Sequence, residues 1–190
     1  MTGLGTFLGQ RLVERLHQTE TPPAIIGLDI RRPLRLHERL SFCEVDLTDP
    51  TADVRLADIL QRARADTVVH LAFRRFPSSD VDYDHDLETL GTLSLLSACA
   101  AAKVRRIVVQ STTMAYGARK DNPNFLSESH PMRGHPDAHN VQNRVEVEAT
   151  LADWAKRHPD VQVTVLRHCW VMGPHWFDRV TEFFERSRIP

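Results

Sequence analysis

The chain has 190 residues, 24 Lys+Arg against 25 Asp+Glu, and an apolar share of 42%. That is enough chain for one domain with a sizeable core, and a net charge of −1 gives no electrostatic footprint for nucleic acid. No apolar run reaches membrane-spanning length, and Met1 opens neither a basic nor an apolar leader segment, so a cytoplasmic protein without nucleic-acid or membrane partners is expected.

Gly3, Gly5 and Gly9 open the chain. Leu8, Leu12, Val13 and Leu16 follow at helical spacing, so the glycines run straight into a helix. Ala24 to Ile30 is a short apolar run holding Asp29, and it reads as a buried strand. Leu40 to Val45 is a second strand, closed by Asp46 and the turn Thr48-Asp49-Pro50. Val54 to Ala65 has helical periodicity. Thr67 to Phe73 is a continuous run with β-branched residues, as in a strand covered on both faces. A polar loop from Arg74 to Asp80 precedes a long helix reaching Ala102. Arg106 to Gln110 is a strand that ends at Ser111-Thr112-Thr113. Residues 118 to 138 carry Asn, Pro, Gly and His and read as a long loop. Asn140 to His158 is helical, Val161 to Arg167 is a strand, and Phe177 to Arg186 begins another helix.

Strand and helix alternate throughout, which predicts right-handed crossovers and an α/β fold with a parallel, doubly wound, Rossmann-like sheet. One such domain is expected over residues 1–190. Cys43, Cys99 and Cys169 are odd in number and widely spaced, and read as buried free thiols.

Gly3, Gly5 and Gly9, with Thr6, Phe7 and Leu8 among them, sit where a strand-to-helix turn approaches a pyrophosphate. Glycine permits the tight turn, and the helix amino terminus offers N–H groups and a positive dipole end. Asp29 lies twenty residues beyond Gly9 at the carboxyl end of the next strand, where an acid hydrogen-bonds ribose hydroxyls. The alternatives are an ordinary turn for the glycines and a strand-end cap for Asp29. Arg31 and Arg32 suit either a 2′-phosphate or a solvated basic turn. The adjacent acid repels that phosphate, so NAD is the expected cofactor, with NADP as the alternative. His70, in an apolar strand, reads as a satisfied core histidine. His135 and His139 have no Cys or carboxylate partner at ligand spacing, so no metal site is expected.

Several segments in order resemble the extended short-chain dehydrogenases/reductases, the NAD-dependent epimerase/dehydratase group. They are Thr2-Gly3 to Gly9, Leu28-Asp29, Asp46-Leu47, Val69-His70-Leu71-Ala72, Gly91-Thr92, Ser111-Thr112 with Tyr116-Gly117, and Leu166-Arg167 with Gly173-Pro174. The resemblance implies a nicotinamide dinucleotide held by this domain and a small-molecule substrate, often a nucleotide-sugar. It places Asp46 and Leu47 beside the adenine, and Leu71 and Ala72 along the middle of the cofactor. The group has Gly-x-x-Gly-x-x-Gly; this chain has Thr6 at the middle glycine and an extra glycine at Gly5. A Cβ at Thr6 is expected to narrow the approach to the phosphates.

The group's chemistry is hydride transfer at a carbinol carbon, with a Tyr as general acid/base, a Lys four residues on, and a hydroxyl holding the substrate oxygen. By this resemblance the hydroxyl role falls on Thr112, and the Tyr and Lys positions fall on Asn140 and Arg144. Arg144 keeps the positive charge and can meet the nicotinamide ribose. Asn140 cannot exchange a proton near neutral pH. An Asn common before the group's Gly-Thr pair corresponds to Glu88. Tyr116 reads as a strand-end packing or substrate-loop residue, and His139 points about 100° away from its helical neighbour.

The resemblance also implies that a first strand belongs before Gly3, between the strand ending at Asp29 and the strand ending at Phe73. Without it, two facing edges lack partners. The chain is therefore expected to be a fragment of a longer protein, with the first strand missing and most of the carboxyl-terminal substrate domain absent. Three functional readings follow: an oxidoreductase or epimerase with a degenerate Tyr-x-x-x-Lys pair, a non-catalytic dinucleotide sensor, and an inactive product. A homodimer is the expected assembly.

Overall fold

A computed structural model describes residues 1–33, 38–74, 76, 78–171, 173 and 182. Apolar residues at helical spacing, with Thr6 as amino-terminal cap, form α1 (Phe7–His17). The apolar runs become β1 (Ile25–Asp29) and β2 (Leu40–Glu44), followed by α2 (Ala52–Arg62) and β3 (Thr67–His70). Next come α3 (Val81–His85), a π-helical turn (Asp86–Leu90) and α4 (Gly91–Ala101). The remainder is β4 (Arg106–Thr112), a 3-10 turn (Thr113–Tyr116), α5 (His139–Arg157) and β5 (Gln162–His168). The helix expected from Phe177 lies, apart from residue 182, outside the described residues.

Among the described residues all three strand pairings are parallel: β1 with β2, β3 with β4, and β4 with β5. The first three residues join the two groups. Thr2 bridges Leu28 of β1 on one side and His70 of β3 on the other. The Met1 amino group donates to the Ile26 carbonyl (2.7 Å), Thr2 N–H to Val69 O (3.0 Å), and Gly3 N–H to Leu28 O (3.1 Å). Leu28 N–H returns a bond to Met1 O (2.8 Å). The facing edges, expected to lack partners, are thus bridged at their carboxyl ends by residues 1–3. Along β1 these residues meet Ile26 and Leu28 and along β3 Val69 and His70, with Thr2 making a bridge to each side.

The sheet is covered on both faces. On one face α1 packs Leu4, Val13, Ile25 and Leu40 into a small cluster with Met1, Leu16 and Phe42. On the other, a larger core draws Leu56 and Leu60 from α2, Leu95, Leu96 and Cys99 from α4, and Val147, Leu151 and Trp154 from α5 onto Val68, Ile107 and Val109. Two apolar faces explain why the strands read as unbroken apolar runs.

Two departures from the expected boundaries matter for the site. β3 stops at His70, three residues early, because Leu71 N–H turns to the Thr2 hydroxyl (3.2 Å) instead of a neighbouring backbone, and Phe73 N–H folds back on Leu71 O (2.9 Å). The long helix before Ala102 is broken by the π-helical turn, a local widening often found at functional sites. Glu88 lies in this turn, completely buried. The cysteines also divide: Cys99 is buried and Cys43 half-buried, but Cys169 is exposed, correcting the expectation for that thiol. It follows β5 at the carboxyl end of the sheet, where the chain has left the core.

Gly9 is a packing glycine. A Cβ there would fall 2.4 Å from Gly3 O and 3.1 Å from Leu4 O, both backbone atoms. At Gly5 the nearest atom is an Asp29 carboxylate oxygen at 3.3 Å, which can move. Gly9→Ala should therefore destabilise the fold by about 1–3 kcal/mol, while Gly5→Ala should stay within about 0.5 kcal/mol. Urea unfolding of the two variants checks this, and equal losses would contradict it.

Candidate functional site

The carboxyl ends of the strands carry two adjoining cavities, where open parallel sheets place their ligands. The first, about 270 Å³, is walled by Gly5, Thr6, Phe7 and Leu8 from the turn and α1. Opposite them stand Thr112 of β4, Asn140 and Arg144 of α5, and His168 of β5. The second, about 140 Å³, is lined by Gly3, Thr6, Leu28, Asp29, Val45, Leu47 and Ala72, with Tyr83 and Leu87 from the far side. Thr6, Phe73 and Arg74 border both.

The glycine turn is held by short bonds. Thr6 caps α1: its hydroxyl donates to Gly3 O (2.7 Å) and accepts Gly9 N–H (3.1 Å). The Cβ that distinguishes it from glycine thus belongs to a side chain turned back onto the turn. Gly3 has φ +68°, and a Cβ there would fall 2.4 Å from the Leu71 carbonyl, so the turn sits directly against the end of β3. One Asp29 oxygen accepts Gly5 N–H (2.8 Å), and the other accepts Arg31 N–H at 3.4 Å. Asp29 therefore ties the end of β1 to the turn besides standing in the second cavity.

The geometry sorts the sequence candidates. Gly5, Thr6, Phe7, Leu8, Thr112, Asn140 and Arg144 come together in the first cavity, and Gly3, Thr6, Asp29, Leu47 and Ala72 in the second. Gly9, Arg31, Asp46 and Leu71 line neither cavity. Gly9 and Leu71 are buried behind the turn. Arg31 is exposed. Asp46 is exposed with its carboxylate accepting the Thr48 N–H (2.9 Å) and hydroxyl (2.7 Å).

Arg144 and Glu88 form an ion pair (3.3 Å) with side chains 7% and 0% exposed. Together they grip one residue of the loop after β3. Arg74 N–H donates to Glu88 (2.8 Å) and Arg144 donates to Arg74 O (3.0 Å). The guanidinium also lies over the Phe73 ring, 3.9 Å from its centroid. Burial outweighs the mutual attraction of the pair: it pushes the Glu88 carboxyl up and draws the Arg144 guanidinium down to about 10. The Nη1 atom of Arg144 is buried without a hydrogen-bond partner.

His70 is a core histidine. Its Nδ1 meets the Thr2 hydroxyl (2.6 Å), its Nε2 the Thr92 hydroxyl (3.0 Å), and it has no exposed surface. Tyr116 packs as expected: it is buried and its hydroxyl accepts from Arg167 (2.7 Å). Arg167 in turn grips Glu148 (2.7 Å), which also takes the Ser111 hydroxyl, so α5 is fastened to β4 and β5. His135 and His139 are exposed. Among the described residues no three His, Cys, Asp or Glu gather to hold a metal, and no helix is long and apolar enough to cross a membrane.

Sequence reasoning missed His168, Cys169, Trp170 and Met114 in the first cavity and Tyr83 and Leu87 in the second. Position was the available signal for His168, one residue past the apolar run read from the sequence and the last residue of β5, where such sheets place ligands.

A parallel sheet with a glycine turn at a helix amino terminus and a cleft divided by that turn defines a Rossmann-like, dinucleotide-type domain. The chain belongs to the NAD dependent epimerase/dehydratase family, whose sequence pattern matches residues 1–190. An uncharacterized protein of Mycobacterium tuberculosis (strain H37Rv) is 27% identical over 197 residues, covering 100% of this chain and 51% of that protein. The N-acetyl-alpha-D-glucosaminyl-diphospho-ditrans,octacis-undecaprenol 4-epimerase of Escherichia coli O157:H7 is 29% identical over 177 residues, covering 91% and 48%. The solved structure of the Bordetella bronchiseptica enzyme WbmH in complex with NAD+ superposes with a TM-score of 0.81 at 22% identity, covering 97% of this chain and 60% of that one. The chain spans about half the length of the curated relatives it matches.

Proposed function

We propose that this chain is the NAD-binding domain of an oxidoreductase or epimerase acting on a hydroxyl-bearing small molecule, a nucleotide-sugar by analogy with its relatives. The observation that carries the reading is Thr6, which borders both cavities at the amino terminus of α1. A dinucleotide has two halves joined by a pyrophosphate, and a helix amino terminus suits the phosphates. The adenosine half would lie in the cavity of Asp29, Leu47 and Ala72, and the nicotinamide half in the cavity of Thr112, Asn140 and Arg144. A nicotinamide held there would supply the hydride acceptor or donor for the substrate's carbinol carbon. Thr112 accepts the Met114 N–H (3.2 Å), which leaves its own hydroxyl hydrogen for the substrate oxygen. Asn140 contributes a hydrogen bond and no proton transfer. Cytoplasmic location and a homodimer belong to the same reading; Leu90 and Leu93, 47% and 44% exposed, are apolar surface that a second copy would cover.

A second reading, a dinucleotide sensor without turnover, is favoured by Asn140 and by the commitment of Arg144 to Glu88. Both readings require cofactor binding. Calorimetry should give NAD binding at least tenfold tighter than NADP, since Asp29 repels a 2′-phosphate. Asp29→Ala should weaken NAD roughly tenfold or more, the scale of hydrogen bonds to a charged group, and narrow the preference over NADP. Absence of NAD binding at millimolar concentration would overturn both readings. NADH formation with UDP-glucose, read by absorbance, separates the first from the second.

A further inference from the structure

Asn140 leaves a gap in the proposed chemistry: oxidising an alcohol releases a proton, and this side chain has no atom to receive it near neutral pH. Another wall of the same cavity offers one. Thr112 and His168 are register partners on the adjacent parallel strands β4 and β5, and both line the first cavity. Neighbouring strands lie about 4.8 Å apart, and register partners project to the same face of a sheet. Thr112 and His168 therefore stand side by side on one wall of the cavity.

The imidazole is set for this task. His168 Nδ1 lies 2.6 Å from the Cys169 carbonyl, which can only accept, so Nδ1 carries the hydrogen. The lone pair then belongs to Nε2. That atom is buried and has no hydrogen-bond partner. Buried polar atoms are normally satisfied, and this unpartnered one belongs to a side chain that lines the cavity. The ionisable groups sharing the cavity are Arg74, Arg144 and Cys169; no carboxylate lines it among the described residues.

Building on the reading above, we propose that His168 takes up and returns the substrate hydroxyl proton, in place of the residue at position 140, while Thr112 holds the same oxygen. In the oxidative direction the O–H proton passes to His168 Nε2, the C–H bond breaks with its electron pair leaving as hydride to the bound nicotinamide, and the carbon is oxidised to a ketone. In the reductive direction the imidazolium returns the proton to the new hydroxyl.

The test uses the whole chain loaded with NAD, with UDP-glucose as probe. His168→Gln should keep NAD affinity within about twofold and lower the rate of NADH formation about a hundredfold or more, the usual scale of general acid/base catalysis. The solvent deuterium isotope effect on that rate should disappear with it. Adding Asn140→Tyr to His168→Gln should recover at least tenfold, which a merely structural loss would not allow. Independently of turnover, the ¹⁵N resonances of His168 should report the Nδ1–H tautomer and move at Nε2 when UDP-glucose is added. The proposal falls if His168→Gln forms NADH at the wild-type rate, or if the Nε2 resonance is unmoved by UDP-glucose in the NAD-loaded protein. Failure of the underlying reading looks different, because NAD then gives no binding heat at all.

Discussion

Glu88→Leu or Arg144→Met, made singly, should each destabilise the protein by about 3–5 kcal/mol, whereas the double variant should lose far less than the sum. The pair is 7% and 0% exposed, so removing either partner leaves a charge in an apolar interior with nothing to balance it. Burial raises the Glu88 pKa and lowers that of Arg144 to about 10, so both charged forms are already disfavoured by desolvation. A pair in that condition stabilises little by its own attraction, and its replacement by apolar groups of similar volume is often close to neutral. Breaking it is a different matter. Glu88→Leu strands the guanidinium, whose Nη1 already lacks a hydrogen-bond partner. Arg144→Met strands the carboxylate and frees the Arg74 carbonyl. Urea midpoints for the two single variants and the double variant form a thermodynamic cycle. Additive losses would show that the two side chains act separately. The double variant should also loosen the backbone at Arg74, which with Thr6 and Phe73 borders both cavities, and so weaken NAD binding more than it weakens the fold.

This pair marks the boundary of what the sequence made legible. Glu88 and Arg144 were each visible as departures from the family pattern, one for Asn and one for Lys. Their contact was not visible, because it joins a π-helical turn to a helix 56 residues away (144 minus 88), and no period in the chain reports such a contact. Periodicity placed every described helix and strand to within a few residues, since two covered faces leave continuous apolar runs and amphipathic helices behind them. The glycine turn and Asp29 were legible for the same local reason, their spacing being fixed by one strand–turn–helix unit. The bridging by residues 1–3 was illegible because three residues carry no period. Its determinants are backbone bonds to Ile26, Leu28 and Val69 together with the Thr2 hydroxyl, which reaches both His70 and the Leu71 N–H. His168 escaped notice through its position just past an apolar run, where a polar residue looks like the end of a strand and not the wall of a site.

Acid should unfold this protein through His70. Burial holds the imidazole neutral and draws its pKa from 6.5 down to about 3, with the nearby positive charge of Arg144 adding to the effect. In the unfolded chain the same ring takes a proton near its ordinary 6.5. Between those values the unfolded state binds more protons than the folded one, so stability falls as the pH falls. The contribution is fully present above about pH 6.5, is reduced by about 2 kcal/mol at pH 5, and is reduced by about 4–5 kcal/mol near pH 3. Both ring nitrogens are engaged, one with Thr2 and one with Thr92. The Thr92 hydroxyl itself sits 2.5 Å from the Glu88 carbonyl, to which it donates. At the Thr92 contact Nε2 therefore carries the ring hydrogen and donates to that oxygen, which leaves Nδ1 to accept from the Thr2 hydroxyl. A second ring proton would turn both nitrogens into donors beside Arg144. Thr2 is the residue that bridges β1 and β3, so protonation strikes where the two halves of the sheet are joined. Unfolding free energies measured from pH 4 to pH 7 should rise steeply for the wild-type chain and more gently for His70→Gln, the gap widening towards acid. Parallel curves for the two proteins would show that the acid sensitivity lies with the carboxylates instead.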